Sequence, residues 1–379
     1  MVFDSAILDI GGTPILTHNE MAGELRALIH RGWPPVRMRR MRPSGLPLVV
    51  AVNELPWYTL RMKCNYAVNA KVVDASKEFE QTSSWLVDIW GQRNDGHKAV
   101  IVEKELIEGL SRAVFGNIAM EHDGPGLGPD VTLKLCRRIF RGEDVGDINE
   151  GTPEYKKKLD EFMGCPGKED TDYKAIILGR REIIQHALAM QYMIDAVVTQ
   201  NEKFSENLLK IVHIILLDRK SVVTAGGKVP LASESGTYRT VPVEAGNTEE
   251  FVPPIRVSQA MGLFFVDMND DLEKAVEGEV FDPFSFAAMN TMMLTLFHPF
   301  LQANGTICRM ILNVILCKYA GVVVPIGEDE ADRKKYMEIQ ERCLAVTDKA
   351  DHGELAMYIL EKARTRARAM KKKLTGKEK

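Results

Sequence analysis

The sequence predicts a mainly α-helical protein with one small β element. Most of the chain between residues 65 and 345 consists of segments whose apolar residues recur at helical spacing, separated by Gly- and Pro-rich breakers. Only residues 218–256 are rich in Gly, Pro, Thr and Val together. The chain has 379 residues, of which 45% are hydrophobic and 27% are charged. These are ordinary values for a globular protein that buries a sizeable core.

Bulk properties exclude several functional classes. The formal net charge is −4, so no overall positive field recruits nucleic acid. No apolar run reaches the ~18 residues of a membrane span, and the start of the chain lacks the basic and apolar stretches of a secretory signal. The six cysteines show no C-x-x-C spacing and several lie in apolar helical patterns, which favours buried free thiols. We therefore expect a soluble cytoplasmic or nuclear protein with no membrane or nucleic-acid partner.

The N-terminal third is predicted from breakers and caps. Residues 1–60 are predicted to be an irregular segment that includes a basic arm, Arg37–Arg42. Within 65–122, residues 99–114 are the clearest helix, and residues 123–129 break it. Asp130 is expected to cap the next helix, which runs to about Phe140. We divide the chain into an irregular segment 1–60, a helical region 61–127, a core domain 128–350 and a basic tail 351–379.

The remaining elements follow from periodicity. Helices are predicted over 173–197, 203–217, 257–275, 283–297, 306–320 and about 329–345. The residues Tyr238 to Val243 and a shorter partner predict a hairpin. His213 lies on an apolar helix face, which favours a core histidine over a catalytic one. From Lys362 onward the chain carries nine Lys or Arg against one Glu, which predicts a solvated, fraying helix end, with nuclear import or binding to an anionic surface as alternatives.

The segment with the most chemistry is a loop between two apolar runs. Residues 292–297 are apolar and lead to His298, Asn304-Gly305 then turns the chain, and residues 307–319 resume an apolar helix. Peptide N–H groups at a helix start are unpaired and carry the positive end of the helix dipole, so they attract an anion. A histidine beside such a helix start provides a general base next to a site that can bind phosphate. This combination suits phosphoryl or nucleotidyl transfer.

This loop resembles the signature loop of Fic (Fido) proteins, H-x-F-x-[D/E]-[G/A]-N-[G/K]-R-x-x-R. The matching residues are His298, Phe300, Ala303, Asn304, Gly305 and Arg309. Gln302 replaces the acidic residue and Thr306 replaces the first arginine, so the motif is degenerate. Segments 128–138, 236–241, 251–254 and 282–283 resemble Fic enzymes of the fungal type in the expected order, and the resemblance covers roughly residues 110–345. It implies a Fic-type helical bundle with a β-hairpin flap.

The resemblance implies a protein adenylyltransferase, which transfers AMP from Mg-ATP to a Ser, Thr or Tyr hydroxyl of a target protein. His298 would be the general base, and its ordinary pKa near 6.5 suits that role. Phe300 would point into the core and fix the loop. The nucleotide-binding residues would be Asn304, Gly305, Thr306 and Arg309. At the metal position Gln302 offers an amide oxygen without negative charge, so Mg²⁺ binding is the least supported part. Each departure is expected to cost about 2–4 kcal/mol in the transition state.

Two further roles come from the same resemblance. Many Fic proteins carry an inhibitory glutamate that pairs with the last arginine of the loop. Glu121, just before the breaker, is the favoured regulatory residue, and Glu80 is the alternative. Tyr238, Arg239, Thr240 and Val241 would form the flap that binds the target by strand addition.

Two alternatives to an autoinhibited adenylyltransferase remain. One is a pseudoenzyme that binds nucleotide or a protein partner without turnover, and the other is a Fic-type transferase with a different phosphate-containing donor. A homo-oligomer is compatible with either. We also expect Gln302 and Thr306 to face solvent, so that neither position disturbs the core when it is changed.

Overall fold

The structure is a computed structural model of the chain. It describes residues 16–31, 50–51, 61–62, 75–92, 95–121, 127–146, 173–217, 221–224, 227–230, 234–243, 251–277, 281–344 and 352–376. In chain order these residues form α1 (His18–Arg31), β1 (Val50–Ala51), β2 (Arg61–Met62), α2 (Ala75–Gly91), α3 (Gly96–Glu121), α4 (Pro129–Phe140), α5 (Tyr173–Ile194), α6 (Glu206–Leu217), β3 (Ser221–Thr224), β4 (Gly227–Pro230), α7 (Pro254–Glu277), α8 (Pro283–Phe297), α9 (Asn304–Ala320), α10 (Glu330–Leu344) and α11 (Gly353–Thr375).

The centre of the fold is the helix pair α8 and α9, whose side chains are buried on nearly every face. Asp282 caps α8 because its carboxylate accepts the N–H groups of Phe284 and Ser285, and Pro283 supplies the first helical residue. The helix α9 ends at Gly321, which is left-handed and lies under the Trp90 indole, where a Cβ would sit 2.0 Å from Nε1. Helices that are apolar on all sides belong in a core, and the other helices surround this pair.

The surrounding helices agree with the predicted mainly α fold. The helix α3 packs on α4 and α5, α5 packs on α6, and α11 packs across α2 and α8. A short π-helical turn, Asp195–Thr199, extends α5. Among the described helices, none has both the length and the apolar character that crossing a membrane requires.

The β content lies elsewhere than predicted. The strands β3 and β4 form an antiparallel hairpin in which Val222 pairs with Val229, and β1 and β2 form a second short pair. Residues 238–243, predicted as the flap strand, have no strand geometry, so this assignment was wrong. The reason is that the backbone N–H of Arg239 donates to Pro299 O at 2.9 Å and Pro242 has no N–H to give to a sheet.

Both terminal regions are more ordered than predicted. Residues 1–60 were expected to be irregular, yet α1 forms there and buries Met21, Leu25 and Ile29. The basic arm at 37–42 lies outside the described residues. The helix end predicted from Lys362 onward is present, but the expectation that it is solvated and frayed was wrong in part, because α11 continues to Thr375 and buries Ala363, Ala367 and Leu374 between its basic residues. Several of those basic side chains pair with acids on α2 and α3; these pairs are Arg364–Glu78, Lys371–Asp88 and Lys373–Glu105.

Two smaller assignments can be checked directly. Asp130 was expected to cap α4, but the N-cap is Gly128, without a side-chain cap bond, and Pro129 and Asp130 lie inside the first turn. His213 is a core histidine, as predicted: it is fully buried, its Nδ1 accepts the Gly236 N–H at 2.8 Å, and burial lowers its pKa to about 4.

Candidate active site

His298 lies at the junction between the two central helices. It is the C-cap of α8, with a left-handed backbone (φ 43°, ψ 59°), and its N–H donates to Leu294 O at 3.0 Å. Residues 299–303 form a short loop, and α9 begins at Asn304. A continuous helix through this region is therefore excluded, and the histidine sits one loop away from a helix N-terminus, as the sequence predicted.

Asn304 closes this loop with its side chain. Its Oδ1 accepts the Phe300 N–H at 2.9 Å, and its Nδ2 donates to Phe300 O at 2.8 Å. Phe300 is fully buried and stacks on His213, with ring centroids 3.9 Å apart. Ala303 adopts a left-handed backbone (φ 60°), which costs an alanine about 1 kcal/mol. The side chain of Asn304 thus shapes the loop, and the N–H groups of the first turn of α9 are left without helical partners.

Arg239 holds the other side of the loop. Its side chain is buried, and its guanidinium donates to the backbone oxygens of His298 at 2.6 Å, Val241 at 3.2 Å and Phe297 at 3.3 Å, as well as to Val252. Burial lowers the pKa of Arg239, yet a guanidinium stays charged. Carbonyls at a helix C-terminus carry the negative end of the dipole, so a cation there stabilises the end of α8.

Replacing Arg239 with methionine is expected to lower the free energy of unfolding by about 3 kcal/mol or more, because several buried carbonyl oxygens lose their donors. Urea unfolding followed by circular dichroism measures the change. The exposed Arg256 on α7 is the matched control, and Arg256→Met should change stability by no more than about 0.5 kcal/mol. Equal losses in the two variants would contradict the clamp function of Arg239.

A second cluster joins α9 to the end of α3. The buried Arg309 donates from Nε to Asn117 Oδ1 at 2.7 Å, and its Nη2 lies 3.4 Å from Glu121 Oε1. The Thr306 hydroxyl donates to the same Glu121 oxygen at 2.7 Å. The contact expected between Glu121 and Arg309 is therefore present. Glu80, the alternative, is exposed on α2 and is absent from the contacts described for Arg309.

Gln302 and Thr306, the two positions that depart from the Fic motif, differ in solvent exposure. Gln302 and Gly305 are exposed, as a ligand-facing loop requires. Thr306 was expected to face solvent, but it is fully buried. The reason is that Glu121 and Arg309 cover its hydroxyl. The position where the Fic motif has its first arginine therefore lies inside the contact between α3 and α9.

His298 is neutral at physiological pH. The Phe251 ring lies against its imidazole, with centroids 4.3 Å apart. Burial lowers the pKa of His298 to about 4; Thr295 and Glu121 oppose that shift, and Arg239 adds to it. A neutral imidazole can accept a proton, which is the form a general base needs.

The residues predicted as a flap divide into two pairs. Tyr238 and Arg239 are buried, and the Tyr238 ring lies 5.4 Å from the Phe300 ring. Thr240 and Val241 are exposed. Only the second pair can meet another protein without rearrangement, and Arg239 supports the loop instead.

Comparisons with known proteins test the fold. No protein-family model matches the chain. A protein adenylyltransferase Fic from Nematostella vectensis is 26% identical over 212 residues, which cover 55% of this chain and 41% of that protein. The crystal structure of a Fic domain containing signaling protein from Bacteroides thetaiotaomicron covers 80% of this chain and 99% of its own, with a TM-score of 0.56 and 15% identity.

The fold is that of a Fic domain. The match to the Nematostella protein spans less than half the length of that relative. A further solved structure, Fic-1 from C. elegans, covers 79% of this chain and 71% of its own at 18% identity, with a TM-score of 0.49.

The Fic fold raises the question of a metal, which the residues present do not suit. Gln302 contributes a neutral amide, and among the described side chains no three His, Cys, Asp or Glu converge as a metal site needs. Hard cations prefer carboxylate oxygens, so this loop lacks the charge to hold Mg²⁺ by itself. We derive no step of the reaction from a metal.

Two residues of the site were not identified from the sequence, and a third was given a different role. Asn117 lies one helical turn before Glu121, and that spacing could have indicated a shared face. Phe251 was noted only within a matching segment, and nothing local to it indicates that it covers His298. Arg239 was assigned to a flap from the resemblance to Fic proteins, whereas in the structure its guanidinium bonds to backbone oxygens around the loop.

Proposed function

We propose that this chain transfers AMP from ATP to a hydroxyl side chain of a protein, and that it rests in an inhibited state. The observation that carries the proposal is the position of His298, a neutral imidazole one short loop before the N-terminus of α9. The similarity to a protein adenylyltransferase of the Fic family supports the choice of AMP.

The proposed reaction gives each group one task. His298 accepts the proton of the target hydroxyl while the hydroxyl oxygen forms a bond to the α-phosphorus of ATP. The bond from that phosphorus to pyrophosphate breaks, and pyrophosphate leaves. The unpaired N–H groups at the start of α9 bind the phosphates, and the exposed Gly305 lets them approach the backbone. Arg309 would bind the terminal phosphate through its planar guanidinium. In the present structure that guanidinium is occupied by Asn117 and Glu121.

The inhibited state follows from that occupation. A carboxylate oxygen of Glu121 stands beside both Arg309 and Thr306, so it places negative charge next to the residues proposed to receive phosphate. Like charges in a partly buried site repel. Productive binding of ATP therefore requires Glu121 to leave Arg309.

Transfer of label from ATP to protein tests the proposal. In the Glu121→Gly background, α-labelled but not γ-labelled ATP should label proteins in a lysate. Adding His298→Ala should lower the rate by about 10²–10⁴-fold, the usual contribution of a general base. The exposed His97 is the matched control, and His97→Ala should have no effect. Because the pKa of His298 is lowered to about 4, the rate should not fall as the pH drops from 8 to about 6.

The other outcomes separate the alternatives. Binding of ATP without labelling, in a folded protein, would contradict transfer and indicate a binding module. Labelling from a different phosphate-containing donor, and not from ATP, would contradict AMP as the transferred group. Labelling that survives His298→Ala would exclude this histidine as the base.

A further inference from the structure

A cavity lies between α3 and α11, on residues distinct from those around His298. Its volume is about 590 Å³. The α3 residues Glu105, Leu106, Glu108 and Arg112 form one wall, and α11 forms the facing wall from Glu361 to Lys373. The turn after α9, with Val322, Val323 and Pro325, closes one end. We call this space the α3–α11 cavity. Small-molecule sites usually have volumes of about 300–1,000 Å³.

Most charges around this cavity are already paired. Arg112 pairs with Glu108 and with Glu328, each at 2.8 Å. Lys373 pairs with Glu105 at 2.6 Å. The remaining pairs are Lys362–Asp332 and Lys335–Glu361. The lining therefore offers little unsatisfied negative charge.

Arg366 is the exception. Within the described part of the chain it forms no ion pair, and its hydrogen bond is a long one, 3.4 Å from Nη2 to the backbone oxygen of Glu105. Burial lowers the pKa of Arg366, and the charges of Glu328 and Glu105 offset a part of that effect. A partly buried guanidinium that has only one long hydrogen bond can gain further hydrogen bonds from an anion.

The local sequence makes room for this guanidinium. Gly109 faces it from α3, and a Cβ at this position would lie 2.9 Å from Arg366 Nη2 and 3.1 Å from the Val323 Cβ. A larger residue would push the guanidinium away from the helix. The surface beside it is apolar, with Leu106 and Val323 both buried. A weakly bonded cation thus stands next to an apolar wall.

From this arrangement we propose that the α3–α11 cavity binds a small molecule that joins one carboxylate to an apolar body. The planar guanidinium of Arg366 matches a carboxylate in two parallel hydrogen bonds. The apolar wall of Leu86, Leu106, Val322 and Val323 would bury the rest of the ligand. The other cations of the lining, Arg112, Lys362 and Lys373, are already paired with acids, so the cavity lacks the additional positive charge that a polyphosphate requires.

Octanoate is the probe for this proposal, with octanol and octylamine as uncharged and cationic controls of the same length. Saturation-transfer NMR and calorimetry on the full chain should show octanoate binding, with octanol at least about tenfold weaker, since hydrogen bonds to charged groups commonly contribute that factor. Arg366→Gln should remove the preference for octanoate, and Arg366→Lys should weaken binding several-fold. Arg364→Gln is the matched control, because Arg364 pairs with Glu78 at 2.6 Å and does not line the cavity.

Several results would overturn the carboxylate site. They are absence of octanoate binding at millimolar concentration, equal binding of octanol, and full octanoate binding by a folded Arg366→Gln variant. If that variant fails to fold, the comparison of the three probes on the unaltered chain still decides. These measurements do not depend on AMP transfer, so the two proposals can fail separately.

Discussion

Replacing Glu121 with glycine is expected to raise AMP transfer by at least about tenfold. The variant removes the carboxylate that contacts Arg309 Nη2 at 3.4 Å and accepts the Thr306 hydroxyl at 2.7 Å. Each charge-assisted hydrogen bond contributes about 1.5–3 kcal/mol, and 1.4 kcal/mol corresponds to a factor of ten in rate or affinity. With the carboxylate gone, Arg309 still contacts Asn117 and Thr306, and its Nη2 can turn to a phosphate.

The measurement is self-labelling and lysate labelling with α-labelled ATP, together with ATP affinity from calorimetry. Glu80→Gly is the matched control, because Glu80 is an exposed glutamate of α2 that was the alternative regulatory candidate. It should leave the rate unchanged. Thr306→Val keeps the shape of the side chain and removes the hydroxyl that holds Glu121, so it should give a smaller increase. A rise in Glu80→Gly, or unchanged ATP affinity in Glu121→Gly, would contradict the inhibitory function of Glu121.

The parts of the fold that the sequence predicted are those determined by local pattern. Residues 283–297 and 306–320 are rich in apolar residues throughout, and a helix followed by an Asn-Gly turn and another helix is what such runs favour. The structure has α8 and α9 there, but Asn304 and Gly305, predicted to turn the chain, belong to the first helical turn of α9, and the chain turns at residues 299–303 instead. In the structure Asp282 caps α8 and Gly321 ends α9, and both are residue types that favour those positions.

The errors arise where long-range contacts override local pattern. Tyr238 to Val243 has the β-branched composition of a strand, yet the backbone of Arg239 bonds to Pro299, 60 residues later in the chain. The basic tail has the charge of a solvated segment, yet acids on α2 and α3 pair with Arg364, Lys371 and Lys373, and several of its apolar residues join the core. In both cases the partner residues are far away in the sequence, so the pattern of a short segment does not reveal them.

In the site, too, the local features could be predicted from the local pattern and the long-range contacts could not. The histidine and the helix start are neighbours in the chain, so their relation could be predicted from residues 292–319. The pairing of Glu121 with Arg309 spans 188 residues, and only the resemblance to Fic proteins indicated it. The burial of Thr306 could not be inferred, because it depends on the same contact between α3 and α9.

Restoring the two missing charges of the loop should give a second large effect. Gln302→Asp adds a carboxylate at an exposed position, where it can ligate Mg²⁺ without disturbing the core. In the Glu121→Gly background it is expected to raise AMP transfer at least about 30-fold, which corresponds to about 2 kcal/mol of transition-state stabilisation. The gain should appear only with Mg²⁺ or Mn²⁺ present, and Gln302→Asn should not reproduce it.

Thr306→Arg should behave differently in the two backgrounds, because Thr306 is buried beneath Glu121 and Arg309. With Glu121 in place, the larger cation lacks space and should lower the melting temperature. In the Glu121→Gly background the space of the removed carboxylate is open, so the triple variant with Gln302→Asp should fold and exceed the double variant in AMP transfer. Adding His298→Ala should lower transfer by about 10²–10⁴-fold in every background. A folded triple variant that binds ATP and shows no gain would contradict the view that only charge is missing from this loop.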